Sequence, residues 1–260
     1  MSRVFAFSLV FAAATAVAAP VPFQLEQGLI TVPVRVGAHD LPLMLDLGDF
    51  RAISLSSAVL DSVPVSFTGE THVFTNYAGR PMEARRFLAR DVSLGDLRFD
   101  EVAGSEDVYD PTNPSPNPYG AVGRAFFDGR LLTIDYAAQT VAVDQPPLAD
   151  ALTLPLDTGG GMLRVTADVD GRPLTLLVDT GAQSSIVDPG KVPETEQAYG
   201  EFSAYRARAV RVDGHDLGAA LLLRMDLGVP DFDGILGADV LGAYLVQFDL
   251  DGGVLRLKRR

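Results

Sequence analysis

The stretch Leu176-Leu177-Val178-Asp179-Thr180-Gly181-Ala182-Gln183-Ser184-Ser185-Ile186-Val187 places an acid at the end of an apolar run and turns immediately after it. The run has the composition of a buried strand, and Gly181 is the residue type that lets a chain reverse tightly. A carboxylate at the end of a buried strand raises the free energy unless it is well hydrogen-bonded or put to chemical use. Asp179 is therefore the residue from which the chain is best read.

The chain carries a second copy of this arrangement, 133 residues earlier. Gly28–Leu55 aligns with Gly161–Asp188 without a gap, and eight of the 28 positions are identical, among them Asp46/Asp179 and Gly48/Gly181. Chance would give roughly two or three matches at this composition. Each copy also ends alike: Gly120-Ala121-Val122-Gly123 precedes Leu131 and Asp135, and Gly234-Ile235-Leu236-Gly237 precedes Leu245 and Asp249. Alternating runs such as Leu29–Val36, broken by Gly, Asp and Pro, predict strands; Asp170-Gly171 between two such runs predicts a hairpin turn. Short helices are expected only near Ser56–Leu60 and Ala238–Leu241. The Pro-rich Gln145-Pro146-Pro147 marks the boundary between the copies. The expected fold class is all-β, in two lobes of similar plan, 19–146 and 147–260.

The motif around Asp179 resembles the active-site motif of the retropepsin-like aspartic proteases, with Ile235-Leu236-Gly237 as the later apolar-apolar-Gly element that the family also has. The resemblance spans nearly the whole chain after the first 18 residues, and the duplication is that of the pepsin-like members and of exported bacterial proteases with a duplicated domain. It implies a two-lobed acid-protease-like β-barrel architecture and an aspartic-type endopeptidase. Asp46 and Asp179 would be the catalytic pair, supported by Thr180, Gly181, Gly48, Gly237 and Gly123. Two carboxylates in contact cannot both ionise, so they share a proton; one then acts on a water as base while the other polarises the scissile carbonyl. In this family the Thr180 hydroxyl ties one turn to the other.

The first copy departs from the pattern. It reads Leu45-Asp46-Leu47-Gly48-Asp49-Phe50. Leu47 replaces the Thr, removing a hydrogen bond of roughly 0.5–1.5 kcal/mol. Asp49 is a second acid beside Asp46 and is expected to raise a carboxyl pKa in the group. Two alternatives follow: a homodimer using Asp179 of each chain, or a catalytically impaired module that binds peptides in the same cleft. Thr75–Arg80 is the expected flap turn, with Tyr77 as its candidate residue, and Tyr199-Gly200-Glu201 is a weaker counterpart in the second lobe.

Composition narrows the function further. Asp and Glu number 34 against 21 Lys and Arg, a net charge of −13, which repels phosphate backbones and argues against nucleic acid. There are no cysteines, hence no disulfide, thiolate metal site or cysteine nucleophile, and only three histidines, His39, His72 and His215. No metal and no cofactor is expected. Asp231-Phe232-Asp233-Gly234 and Asp249-Leu250-Asp251-Gly252 lack the spacing of a calcium loop and read as turns. Ser184 and Ser185 have no nearby His to activate them. The Pro-rich run from Asp110 is expected to be a stiff surface loop. Arg3, the uncharged run Val4–Val17 and the small-x-small pattern Ala16-Val17-Ala18 read as a signal peptide over 1–18. The expected product is an exported monomer, periplasmic or secreted, acting on a peptide or protein substrate.

Overall fold

The computed structural model describes residues 18–75, 80–110, 115–194, 198–199 and 202–260. The first half contains β1 (Val21–Pro22), β2 (Gln24–Glu26), β3 (Leu29–Val36), β4 (His39–Asp46), β5 (Ile53–Ser56), β6 (Val65–Thr75), β7 (Pro81–Leu94), β8 (Leu97–Asp107) and β9 (Gly120–Gly123). Next come β10 (Leu131–Asp135), β11 (Thr140–Val143) and β12 (Leu152–Pro155). The second half adds β13 (Arg164–Val169), β14 (Arg172–Val178), β15 (Ile186–Val187), β16 (Ala198–Tyr199), β17 (Phe202–Val212), β18 (His215–Arg224) and β19 (Gly234–Leu236), then β20 (Tyr244–Asp249) and β21 (Val254–Arg259). The α-helices among the described residues are the one-turn α1 (Ser57–Leu60) and α2 (Ala238–Leu241), at the two places the sequence allows for them.

Two closed six-stranded barrels result. In the first, the order β3-β4-β9-β5-β8-β7 returns on itself through pairing of β3 with β7. In the second, β13-β14-β19-β15-β18-β17 closes through β13 and β17. The expected two-lobed, duplicated all-β architecture is the one observed. Closure leaves no free edge within the six strands of either barrel, and the edges that remain lie on β2, β6 and β16 outside them. Alternation explains the interior: in β3, Val32, Val34 and Val36 are buried while Pro33 and Arg35 face outward. Asp170 and Gly171, both at positive φ, make the two-residue turn between β13 and β14.

A third sheet, β1-β11-β10-β20-β21-β12, joins the lobes. Its central pair, β10 against β20, brings together equivalent strands of the two halves. The fully buried Gln247 donates to Thr133 Oγ1 at 3.0 Å across that pair, and its Oε1 accepts from Leu148 N–H at 3.1 Å. A buried amide so satisfied fixes the register of the two lobes where apolar side chains alone would allow sliding.

Beyond the undescribed residues 111–114, the Pro-rich run is exposed at Ser115, Pro116 and Pro118, as a surface loop would be. It is tied to the barrel at the buried Asn117, whose Nδ2 donates to Pro42 O at 2.9 Å.

Candidate active site

Each Asp turn is held by threading the Gly-x-x-Gly strand beside it. β9 runs parallel to β4, with Asp46 opposite Gly123, and β19 runs parallel to β14, with Val178 opposite Leu236. The same short strands pair antiparallel with β5 and β15. A narrow strand between two neighbours explains the glycines: a Cβ on Gly123 would lie 2.4 Å from Arg51 O, and one on Gly237 would lie 2.8 Å from Ala182 O. Asp179 N–H donates to Leu236 O at 3.1 Å, which fixes the acid against this strand.

The two turns meet face to face. A Cβ on Gly48 would lie 2.6 Å from Asp179 Cγ, and one on Gly181 would lie 2.5 Å from Asp46 Cγ. Outside them, Gly28 faces Gln183 and Gly161 faces Phe50, again an exchange of equivalent positions. These reciprocal contacts define a pseudo-twofold axis passing between Asp46 and Asp179. The carboxyls hydrogen-bond to each other. Asp46 Oδ1 also accepts from Gly48 N–H at 2.9 Å and Asp49 N–H at 3.1 Å, and Asp179 Oδ1 accepts from Gly181 N–H at 2.7 Å.

Thr180 is fully buried and crosses the axis: its hydroxyl accepts from Leu47 N–H at 3.0 Å and donates to Leu45 O at 2.8 Å. Leu47 occupies the matching place and is fully buried in the apolar core. Ser185 supplies a support that the sequence left unnoticed. Its Oγ donates to Asp239 Oδ1 at 2.6 Å and accepts from Gly237 N–H at 3.0 Å. The first lobe has Ala52 there, and the Gly123 N–H goes to Ala52 O at 3.0 Å.

Burial raises both acids. Asp46 is pushed well above the usual carboxylate range by burial, by the Asp179 charge and by the Asp49 charge. Burial raises Asp179 as well, against the Gly181 N–H and the bond from Asp46, which favour its ionised form. The pair therefore holds one proton and one negative charge between its two carboxyls. Asp49 acts in the direction its sequence position suggests, but it does not act alone. Arg51, absent from the sequence reading, grips it through Nε at 2.8 and 3.0 Å and through a third contact at 2.8 Å. Arg51 Nη1 continues to Ser105 Oγ at 3.0 Å.

The hairpin of β6 and β7 reaches the first turn, where the His72 ring meets Phe50 edge-on at 6.1 Å and stacks on Phe74 at 6.0 Å. Tyr77, the expected flap residue, and Gly200-Glu201 of the weaker counterpart lie outside the described residues. Among the described residues no group of acids and histidines is arranged to hold a metal.

This geometry is shared with solved structures. An aspartic proteinase from Irpex lacteus superposes with a TM-score of 0.61 at 14% identity, over 93% of this chain and 97% of that one. The fold is that of the pepsin-like aspartic proteinases. Basic 7S globulin from soybean shares it, with a TM-score of 0.58 at 13% identity over 93% of this chain and 94% of that one. A proteinase and a globulin that share this pepsin-like fold show that the fold by itself does not assign an activity. No family model and no curated protein matches the chain.

Proposed function

We propose that the chain is a single-chain aspartic-type endopeptidase in which Asp46 and Asp179 share one proton, the ionised carboxyl acting as general base and the protonated one as general acid. The observation that carries this reading is the hydrogen-bonded contact of two half-buried carboxyls at the meeting point of equivalent turns. An acid pair of this kind has no structural purpose that a neutral pair would not serve at lower free energy. The ionised carboxyl of the pair takes a proton from a water held between the two, and the water oxygen attacks the scissile carbonyl carbon. The protonated carboxyl gives its proton to the carbonyl oxygen as the tetrahedral intermediate forms. Collapse of that intermediate passes a proton to the leaving amine and restores the singly protonated pair.

Asp46 lies in a turn that lacks the Thr, yet two backbone N–H groups still orient it. That favours the single-chain pair over a homodimer built on Asp179 alone. The signal-peptide pattern over 1–18 supports export of a product beginning near Ala19. The test is hydrolysis of an unfolded protein substrate at acidic pH by the wild type and by Asp179→Asn. The wild type should cleave and the variant should lose about 10²–10⁴-fold in turnover. Equal turnover by the variant would remove Asp179 from the chemistry.

A further inference from the structure

A cavity of about 580 Å³ opens beside Asp46 and extends into the first lobe. Its walls come from four places: the turn after β4, with Asp49 and Arg51; the start of α1, with Ser56 and Ser57; the end of β8, with Asp107; and the Pro-rich segment, with Ser115 and Asn117. Continuity with the reacting carboxyls makes it the place for a substrate side chain flanking the bond to be cut, and pockets of this volume suit one long side chain with its neighbours.

The chemistry of the walls is not that of an apolar pocket. Arg51 is held by Asp49 at 2.8 Å, so those two charges cancel. Glu106, on the strand next to Asp107, is likewise neutralised by Arg85 at 2.8 Å and accepts from Ser57 Oγ at 2.7 Å. Asp107 remains, half-buried. Its side chain is hydrogen-bonded to Ser115, and Arg51 acts on it only through space. On the same wall, Ser56 Oγ is buried without a hydrogen-bond partner. Asp107 makes no ion pair among the described residues, and the Asp46/Asp179 pair adds its shared negative charge at the Asp46 end of the cavity. An alkyl stem can lie against Met44 and Ala121 while its charged end reaches Asp107.

We propose that this cavity is a specificity pocket for a cationic side chain of the substrate, lysine or arginine, with Asp107 as the residue that selects it. The proposal rests on the peptidase reading of the same site. A desolvated cation without a partner would be excluded; Asp107 supplies the partner, and an apolar or acidic side chain would leave Asp107 unpaired or repelled.

The experiment separates binding from cleavage. Hexapeptides carrying a neutral hydroxyethylene group in place of the central amide are made in pairs, with lysine or norleucine at each of the three positions on either side, and their affinities are measured by calorimetry. Unmodified parents of the same peptides are assayed for hydrolysis. At one position lysine should bind about tenfold or more tightly than norleucine, and Asp107→Asn should abolish that difference, with Asp107→Ser read in the same way if the first variant does not fold. Norleucine equal to lysine at every position, a lysine preference that survives in the variant, or no binding by any peptide would overturn the pocket. Cleavage without a lysine preference would remove the pocket and keep the peptidase; lysine-selective binding without cleavage would do the reverse.

Discussion

Thr180 and Leu47, 133 residues apart, occupy equivalent places on either side of the pseudo-twofold axis, but only Thr180 reaches across it: its hydroxyl accepts from the Leu47 N–H at 3.0 Å. The connection between the Asp turns is thus one-sided. On the other side Leu47 substitutes apolar packing for hydrogen bonding.

Leu47→Thr should therefore change stability by no more than about 1 kcal/mol, because the lost packing of two carbons, about 1.6 kcal/mol, is largely offset by a new buried hydrogen bond of about 0.5–1.5 kcal/mol. Leu47→Ala has no such compensation and should cost about 2–5 kcal/mol. Denaturant titration of both variants checks the contrast. A Leu47→Thr variant as unstable as Leu47→Ala would mean that no backbone partner awaits the hydroxyl.

Gly181→Ala should damage the site more than the fold. Its Cβ would meet Asp46 Cγ at 2.5 Å and push the carboxyls out of line. Misplacing reacting groups by about 1 Å lowers rates by the order of 100-fold. Activity should fall by that order while the melting temperature moves little; unchanged activity would show that the carboxyls have room to shift.

The pH dependence follows from the raised acids. A pair that must carry one proton loses activity as pH rises through the elevated Asp46 value. Because the folded values lie above those of the unfolded chain, the stability from this pair is fully present below the ordinary carboxylate pKa and is lost as pH rises through the folded ones. Arg51→Met frees the Asp49 charge to act on Asp46, so the alkaline limb of the rate profile should move to higher pH. A limb that stays in place or moves down would show that Arg51 does not screen the pair.

Glu106 acts in the opposite direction. Arg85 and Ser57 hold its carboxyl down to about 2. A depressed acid contributes stability that is complete above the ordinary glutamate value and disappears as pH falls toward about 2. The Glu106–Arg85 contact therefore persists as pH falls toward about 2. Glu106→Gln should flatten the acid limb of the stability curve in that window, as followed by thermal melting; an unchanged curve would leave the pair without a role in acid tolerance.

The duplication made the fold legible. Equal spacing of Asp46 and Asp179 from Gly28 and Gly161 requires two lobes of one plan, and the Gly-x-x-Gly segments mark the strands that brace each Asp turn. Barrel closure was not legible, because the β3–β7 and β13–β17 pairings join strands whose separation in sequence no local pattern records. The motif residues Asp46, Gly48, Asp179, Thr180 and Gly181 stand together because the motif is contiguous in each copy. Arg51 was missed although it follows Asp49 by two residues, since spacing alone does not reveal that the guanidinium turns back on that acid. Asp107 was hidden for a stronger reason: it reaches the Asp46 cavity only through the parallel pairing of β5 with β8.

The central claim is that Asp46, in the degenerate turn, works with Asp179 of the same chain. It is tested most directly by the specific activity of Asp46→Asn over a thousandfold dilution series, with the wild type alongside and folding checked by melting. The single-chain pair predicts wild-type activity per mole that does not change with dilution, and a variant reduced by about 10²-fold or more at every concentration. A variant that keeps near wild-type activity, with specific activity rising with concentration, would contradict the pair and place the chemistry on Asp179 of two chains.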